Sequence, residues 1–183
     1  MQAFIIFLIS KKALLKLKIK IMKKSVWIII AIYIFLIYST LPITRPILNF
    51  LYASLGQRFL SIIVNIIFVV ITVFIIYFLR KKNKLKISFL FLLIILFLIN
   101  RIERPEERIH FLEYGILGAL IFKATGKGTK QNIFAIILLF IIAVIDELIQ
   151  YMLPNRVGDI RDIIMNLTGG VIGLWLGKFW YRS

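Results

Sequence analysis

The acidic residues of this chain are confined to one region. All eight Asp and Glu residues lie between Glu103 and Asp162, and the first 102 residues contain none although they are rich in Lys and Arg. Imidazole, carboxyl and amide groups in one region could bind a ligand or transfer a proton, because they donate and accept hydrogen bonds. The candidate residues of this kind are His110, Glu113, Asp146, Glu147, Gln150, Arg156, Asp162 and Asn166.

Helical spacing places most of these side chains on three faces, because residues three or four apart in a helix are neighbours. Each face belongs to a different apolar segment of the chain. A site built from them therefore needs three helices that meet. The three groups are Glu106–His110–Glu113, Asp146–Glu147–Gln150 and Asp162–Asn166.

The helices that must position these groups are membrane spans. Hydrophobic residues make up 61% of the chain and the mean hydropathy is +0.97, which exceeds what a water-soluble domain carries. The sequence predicts an all-α fold, a polytopic transmembrane helical bundle of about six spans. Ile87 to Ile99 is short enough to be a re-entrant or interfacial helix instead. The predicted spans are Val26 to Leu41, Phe59 to Leu79, Ile87 to Ile99, Ile109 to Phe122, Ile133 to Met152 and Ile160 to Leu176.

The distribution of Lys residues predicts the orientation of the bundle. Cytoplasmic loops are enriched in Lys and Arg, and six spans with both termini in the cytoplasm place every Lys on that side. Five spans would scatter the basic clusters over both sides. The net charge of +16 sits in short clusters between apolar runs, so it indicates membrane topology and excludes nucleic acid as the partner.

This topology brings the acidic region to one depth. With a rise of ~1.5 Å per residue, Glu113, Asp146 and Asn166 each lie about 8–10 Å inside the outer end of their spans. A carboxylate within a span costs roughly 2.5–3.5 kcal/mol, so such residues usually face the bundle interior or a wet cavity. We therefore expect an outward-facing polar intramembrane site.

Several other residues have structural interpretations. Glu106 and Glu107 follow Pro105 and are typical of a helix start. Asp159 after Gly158 is typical of an N-cap, with Asp162 in the first turn. A final group of glycines recurs every four residues and predicts close helix packing rather than ligand contacts. These are Gly169, Gly173 and Gly177.

The chain divides into four parts. Residues 1–21 are a basic segment that is either an amphipathic helix on the inner leaflet or a stretch upstream of the true start at Met22. Residues 22–102 form the N-terminal transmembrane helices, residues 103–177 contain the polar site, and residues 178–183 form a short cytoplasmic tail. The absence of Cys excludes disulfides and thiolate chemistry.

Three motifs in residues 103–177 resemble the VanZ-like family of membrane proteins. The first is His110-Phe111 followed by Tyr114 and Leu117-Gly118. The second is DELIQYMLPNR, which begins at Asp146, and the third is DIIMNLTGGVIG, which begins at Asp162. Their order and spacing fit the family, whose members often have Asp-Lys where this chain has Glu106 and Glu107.

The resemblance implies a multi-pass protein of the bacterial inner membrane, linked to resistance against the lipid-tailed glycopeptide teicoplanin. We therefore expect the site to bind an outer-leaflet amphiphile or a cell-wall precursor, with Arg156 contacting phosphate or carboxylate. No cofactor is predicted, and a bound metal would be Mg, Mn or Ca. The sequence does not determine the oligomeric state.

Two other functions are consistent with the same residues. The first is an intramembrane enzyme acting on a lipid-linked substrate, in which Glu147 or Asp146 is the general base and His110 is the acid or a metal ligand. The second is a proton-coupled transporter that uses the same acids, although the broken or repeated helices typical of transporters are not evident.

Overall fold

A computed structural model describes the backbone over residues 2–81, 84–101, 105–154 and 158–180, and the side chains over 22–81, 84, 86–96, 107–154 and 158–179. These residues form helices and, within the described ranges, no strand. The predicted all-α class is confirmed. The helices are α1 (Gln2–Leu55), α2 (Gln57–Lys81), α3 (Leu85–Arg101), α4 (Pro105–Thr125), α5 (Thr129–Met152) and α6 (Ile160–Trp180).

Among the residues that the structure describes, three helices are long and apolar enough to cross a membrane by length and composition. They are the Met22–Leu55 part of α1, the whole of α2 and the whole of α5. Their outer faces expose large apolar side chains such as Phe35 and Phe74, which water would disfavour and lipid accepts. The apolar part of α3 is shorter, and α4 and α6 carry acidic and basic residues. The fold is therefore that of a membrane protein.

Helix α1 is longer than the sequence predicts. The first span was expected to end at Leu41, but the helix continues through Pro42 and Pro46 to Leu55. Proline is tolerated inside apolar helices when neighbouring side chains satisfy the backbone groups that it frees or strains. The side chains around the two prolines add local hydrogen bonds: the hydroxyl of Ser39 donates to the carbonyl of Leu36 at 3.0 Å and that of Thr44 donates to the carbonyl of Thr40 at 2.7 Å.

Successive helices run in alternating directions. Helix α1 is antiparallel to α4, because Tyr33 contacts Glu113 while Lys23, earlier in α1, approaches Gly126 just after the end of α4. Helices α1 and α5 run parallel, with Trp27 against Phe134 at one level. Helices α2, α4 and α6 run parallel to one another, so their N-termini share one end of the bundle.

Two apolar clusters hold the helices together. One cluster joins α1, α4 and α5 and contains Ile30, Tyr114 and Leu139. The other joins α2, α3 and α4, and in it the rings of Phe68 and Phe111 lie 6.3 Å apart. Helix α4 contributes to both clusters and is therefore the central element of the fold.

Helices α4 and α6 pack so closely that side chains are excluded from their crossing. A Cβ atom at Gly173 would overlap the carbonyl group of Gly115, and one at Gly169 would overlap that of Phe111. A Cβ at Gly177 would lie 3.0 Å from Cβ of Phe122. Small residues allow helix backbones to approach each other in membranes, where dispersion contacts replace the hydrophobic effect as the driving force.

Candidate functional site

A buried carboxyl group connects three helices. Asp146 of α5 has no exposed surface. Tyr114 of α4 donates its hydroxyl to Asp146 Oδ2 at 2.9 Å, and Asn166 of α6 donates its amide to the same oxygen at 3.4 Å. Gln150, one turn along α5, donates to Oδ1 at 3.3 Å. Burial of a carboxyl group is costly unless donors compensate for lost water, and these three side chains supply that compensation.

The neighbouring Glu147 holds the start of α6 against α5. Its Oε1 accepts a hydrogen bond from Gln150 at 3.2 Å, and its Oε2 accepts one from the backbone N–H of Asp159 at 2.9 Å. Asp159 in turn accepts the N–H of Arg161 at 2.9 Å and is the N-cap of α6, as the sequence predicts. Each oxygen of Asp146 and Glu147 therefore accepts a hydrogen bond from the protein, and these bonds connect α5 to α4 and α6.

His110 and Glu113 form the part of the site that faces open space. Nδ1 of His110 lies 3.2 Å from Oε2 of Glu113, and the two side chains are 15% and 31% exposed. Both residues line a cleft of about 30 Å³ between α1 and α4, with Thr40 and Thr44 on the other wall. A cleft of this size accommodates a water molecule or one hydroxyl or amide group of a ligand.

Helix α1 is held against this cleft by two tyrosines. The hydroxyl of Tyr33 donates to the backbone carbonyl of Glu113 at 3.2 Å. The hydroxyl of Tyr38 donates to the carbonyl of Ile142 at 2.8 Å, one turn before Asp146. These bonds fix α1 at the level of the polar residues, so the cleft is a defined feature of the bundle.

Two buried polar atoms of the site make no hydrogen bond within the ranges of the chain that the structure describes. They are Nδ1 of His110, which is at ion-pair distance from Glu113 but outside hydrogen-bonding geometry, and Oδ1 of Asn166. A buried polar atom without a partner costs about 1–3 kcal/mol. Such atoms are positions at which an ordered water or a ligand group would bind.

Two further polar pairs lie at the same end of α4. Glu107 is buried and lies 3.4 Å from the guanidinium of Arg161, so it connects α4 to α6. Arg108 is also buried and donates to the side-chain oxygen of Asn65 on α2. Polar pairing therefore reaches from α2 across α4 to α6 at the level where the sequence places the outer membrane surface.

The sequence profile of the VanZ/LLP1 family matches residues 105–181. The chain carries a VanZ-like domain. This match spans α4, α5 and α6, the three helices that supply Tyr114, Asp146 and Asn166. No curated protein and no solved structure matches the chain.

The VanZ-like domain brings together most of the residues that the sequence singled out. Arg156 lies outside the described residues, as does the side chain of Glu106. Asp162 is half-buried, one turn before Asn166 on α6. Among the described residues, no group of three or more His, Asp or Glu side chains is arranged to hold a metal ion. The residues that the structure places within the three-helix site are His110, Glu113, Asp146, Glu147, Gln150 and Asn166.

Sequence reasoning missed the tyrosines and the pairs at the end of α4. Tyr114 appeared only within a family motif, yet its hydroxyl makes the shortest side-chain hydrogen bond to Asp146 that the structure describes. Tyr33 and Tyr38 lie five residues apart, so no helical spacing linked them to each other. A hydroxyl-bearing ring inside an apolar span was the available signal, because a buried Tyr hydroxyl usually has a hydrogen-bond partner.

Proposed function

We propose that this protein is an integral membrane protein of the bacterial inner membrane whose polar site binds the polar part of an amphiphile from the outer leaflet. The observation that carries the proposal is the His110–Glu113 pair, which faces a cleft and is backed by hydrogen-bonded Asp146. Ionisable groups inside a membrane are costly and usually mark functional sites. Here the buried groups hold the helices, and the pair at the cleft is available for a ligand.

The proposed topology has six crossings with both termini in the cytoplasm. Alternating helix directions support this topology, because each successive helix then takes the chain to the opposite surface. The Lys distribution supports the orientation. The connection between α4 and α5 carries Lys127, with Lys130 in the first turn of α5, whereas residues 153–159 between α5 and α6 contain no Lys. In this orientation the cleft lies near the outer surface, where cell-envelope components are accessible.

The chemistry of the cleft favours a hydroxyl- or amide-bearing group. Glu113 and the hydroxyls of Thr40 and Thr44 accept hydrogen bonds, and His110 accepts or donates one. Arg156, which lies between α5 and α6 in the sequence, is the proposed partner for a phosphate or carboxylate of the same ligand. Lipid-linked cell-wall precursors, phospholipids and the lipid-tailed glycopeptide teicoplanin all combine polar groups with an apolar tail.

This function is tested by measuring how teicoplanin and vancomycin inhibit the growth of a susceptible Gram-positive host. The host expresses the protein with Met22 as its first residue. We expect the protein to reduce sensitivity to teicoplanin but not to vancomycin, which lacks the lipid tail. Glu113→Gln should abolish the protection at equal membrane levels, because it removes the charge that faces the cleft and keeps the size of the side chain.

Two threonines supply a matched control. Thr44 lines the cleft and Thr168 of α6 does not, yet each donates its hydroxyl to the carbonyl four residues earlier at 2.7 Å. Replacement by Val removes the same local hydrogen bond in both variants. Thr44→Val should reduce protection and Thr168→Val should leave it unchanged. Equal effects of the two variants, or no protection by the well-expressed protein, would contradict the proposed role.

A further inference from the structure

An apolar cavity lies on a different face of α4 from the polar site. It has a volume of about 240 Å³ and lies between α2, α3, α4 and α6. Its walls are apolar side chains and glycine backbone, with Thr72 as the exception. Apolar cavities of roughly 150 Å³ remain free of water and bind small apolar molecules, so this larger space suits an apolar group.

The cavity opens towards the surface that lipid covers. Phe74 of α2 and Ile116 of α4 both line it, and they are 57% and 51% exposed on the outside of the bundle. An apolar space that connects with the lipid-facing surface is filled from that surface. The abundant apolar molecules there are the acyl chains of the bilayer.

The cavity runs along α4 and α6. Three glycines of α6 line it from Gly169 to Gly177, and Ala119 lines it from α4. Eight residues of helix correspond to about 12 Å at a rise of ~1.5 Å per residue. The space therefore extends along the helices, as a single extended acyl chain does, and differs in shape from a spherical packing defect.

Four basic residues lie at the end of the bundle at which α2, α4 and α6 finish. Arg80 follows the lining residue Leu79, Lys178 follows the lining residue Gly177, and Lys123 lies one turn beyond Ala119. Lys86 lines a second cleft together with Arg80, between α2 and α3. All four side chains are exposed, and none makes an ion pair with an acid in the described part of the chain.

Among the residues whose side chains the structure describes, no acid lies at this end of the bundle. The acids of the chain lie between Glu103 and Asp162, and the described ones lie near the starts of α4 and α6 or near the end of α5. Basic pockets between transmembrane helices on the cytoplasmic side bind the headgroups of anionic lipids. An apolar cavity that ends beneath such a pocket has the form of a phospholipid site.

We propose that the cavity holds one acyl chain of an anionic phospholipid, whose headgroup binds Arg80, Lys86, Lys123 and Lys178. The lipid comes from the leaflet at this end of the bundle, which is the inner leaflet in the proposed orientation. This site is separate from the His110–Glu113 cleft, lies at the other end of α4 and does not depend on the function of that cleft. Because it touches α2, α3, α4 and α6, its occupant stabilises their packing.

Photolabelling tests the proposal with the full chain reconstituted in phosphatidylcholine vesicles. The probe is phosphatidylglycerol with a diazirine in the middle of one acyl chain, and the comparison probe is phosphatidylcholine with the same chain. Phosphatidylglycerol should label the peptides that line the cavity more strongly than phosphatidylcholine does. Each cation that is changed to Gln should reduce this preference by up to about fivefold.

A pair of alanine substitutions separates the cavity from general lipid contact. Ala119→Phe fills the cavity, whereas Ala31→Phe adds the same ring to an exposed position of α1. The first variant should lose cavity labelling and the second should retain it. Equal labelling of the unmodified protein by the two lipids, or undiminished cavity labelling of folded Ala119→Phe, would overturn the proposal. If Ala119→Phe does not fold, the preference of the unmodified protein and its loss in Lys123→Gln decide the question.

Discussion

The hydrogen bond from Tyr114 to Asp146 is the contact whose removal tests the three-helix site most simply. Tyr114→Phe removes one oxygen atom from a side chain with no exposed surface and creates no cavity larger than that atom. Oδ2 of Asp146 then keeps only the longer bond from Asn166, at 3.4 Å instead of 2.9 Å. Because the acceptor is a buried carboxyl group that keeps one weaker partner, the expected loss in the free energy of unfolding is about 1–2 kcal/mol, near the upper end for interhelical hydrogen bonds in membrane proteins.

Two other tyrosines provide comparisons for the destabilisation expected of Tyr114→Phe. Tyr38→Phe removes a bond to a neutral backbone carbonyl, and interhelical bonds of this kind contribute about 0.6 kcal/mol on average in membrane proteins. Tyr77 is 65% exposed on α2, so Tyr77→Phe should leave the free energy of unfolding unchanged. The expected order of destabilisation is therefore Tyr114→Phe, then Tyr38→Phe, then Tyr77→Phe.

Unfolding by SDS in mixed micelles measures these differences, with tryptophan fluorescence as the signal. Trp27 packs on Phe134 between α1 and α5, and Trp175 packs on Phe179 in α6, so both report on helix contacts. If Tyr114→Phe proved no less stable than Tyr77→Phe, the hydrogen-bonded arrangement around Asp146 would be refuted.

Two further predictions concern packing and topology. Gly173→Ala should cost about 1–3 kcal/mol in SDS unfolding because its Cβ would overlap Gly115. Gly115→Ala should be neutral or stabilise by up to about 1 kcal/mol, because its Cβ would lie at an ordinary 3.7 Å from the nearest atom, and equal losses in both variants would argue against the crossing. The chain has no Cys, so single cysteines at Ser54, Pro154 and Lys127 report topology cleanly. An impermeant maleimide should label the first two in intact cells and the third only after lysis, and the reverse pattern would invert the proposed orientation.

Most of the helical elements were predictable from the sequence because apolar runs broken by basic clusters encode them directly. The end of α1 was not predictable in this way. Pro42 and Pro46 are typical of a helix end in water, yet α1 continues to Leu55, since an apolar surrounding favours retention of the helix. The crossing of α4 and α6 was predictable in kind from the glycine spacing, but its partner helix required the structure.

The polar site was predictable as a set of residues but not as a set of roles. Spacing along one helix correctly joined Gln150 to Asp146 and Glu147. It could not distinguish the carboxyl groups that hold helices from the one that faces a cleft, because that depends on contacts between helices. The side chain of Glu113 faces a cleft because α1, with Thr40 and Thr44, lies opposite it.

The central claim is that the His110–Glu113 cleft binds the polar part of an outer-leaflet amphiphile. The most direct test places the photoreactive residue p-benzoylphenylalanine at Thr44, and separately at Thr168, in cells that express the protein. Mass spectrometry then identifies the molecules crosslinked at each position. We predict that Thr44 captures a specific amphiphile that Thr168 does not, and that Glu113→Gln removes this crosslink while the protein remains folded. Identical crosslinked lipids at both positions, unaffected by Glu113→Gln, would contradict the claim.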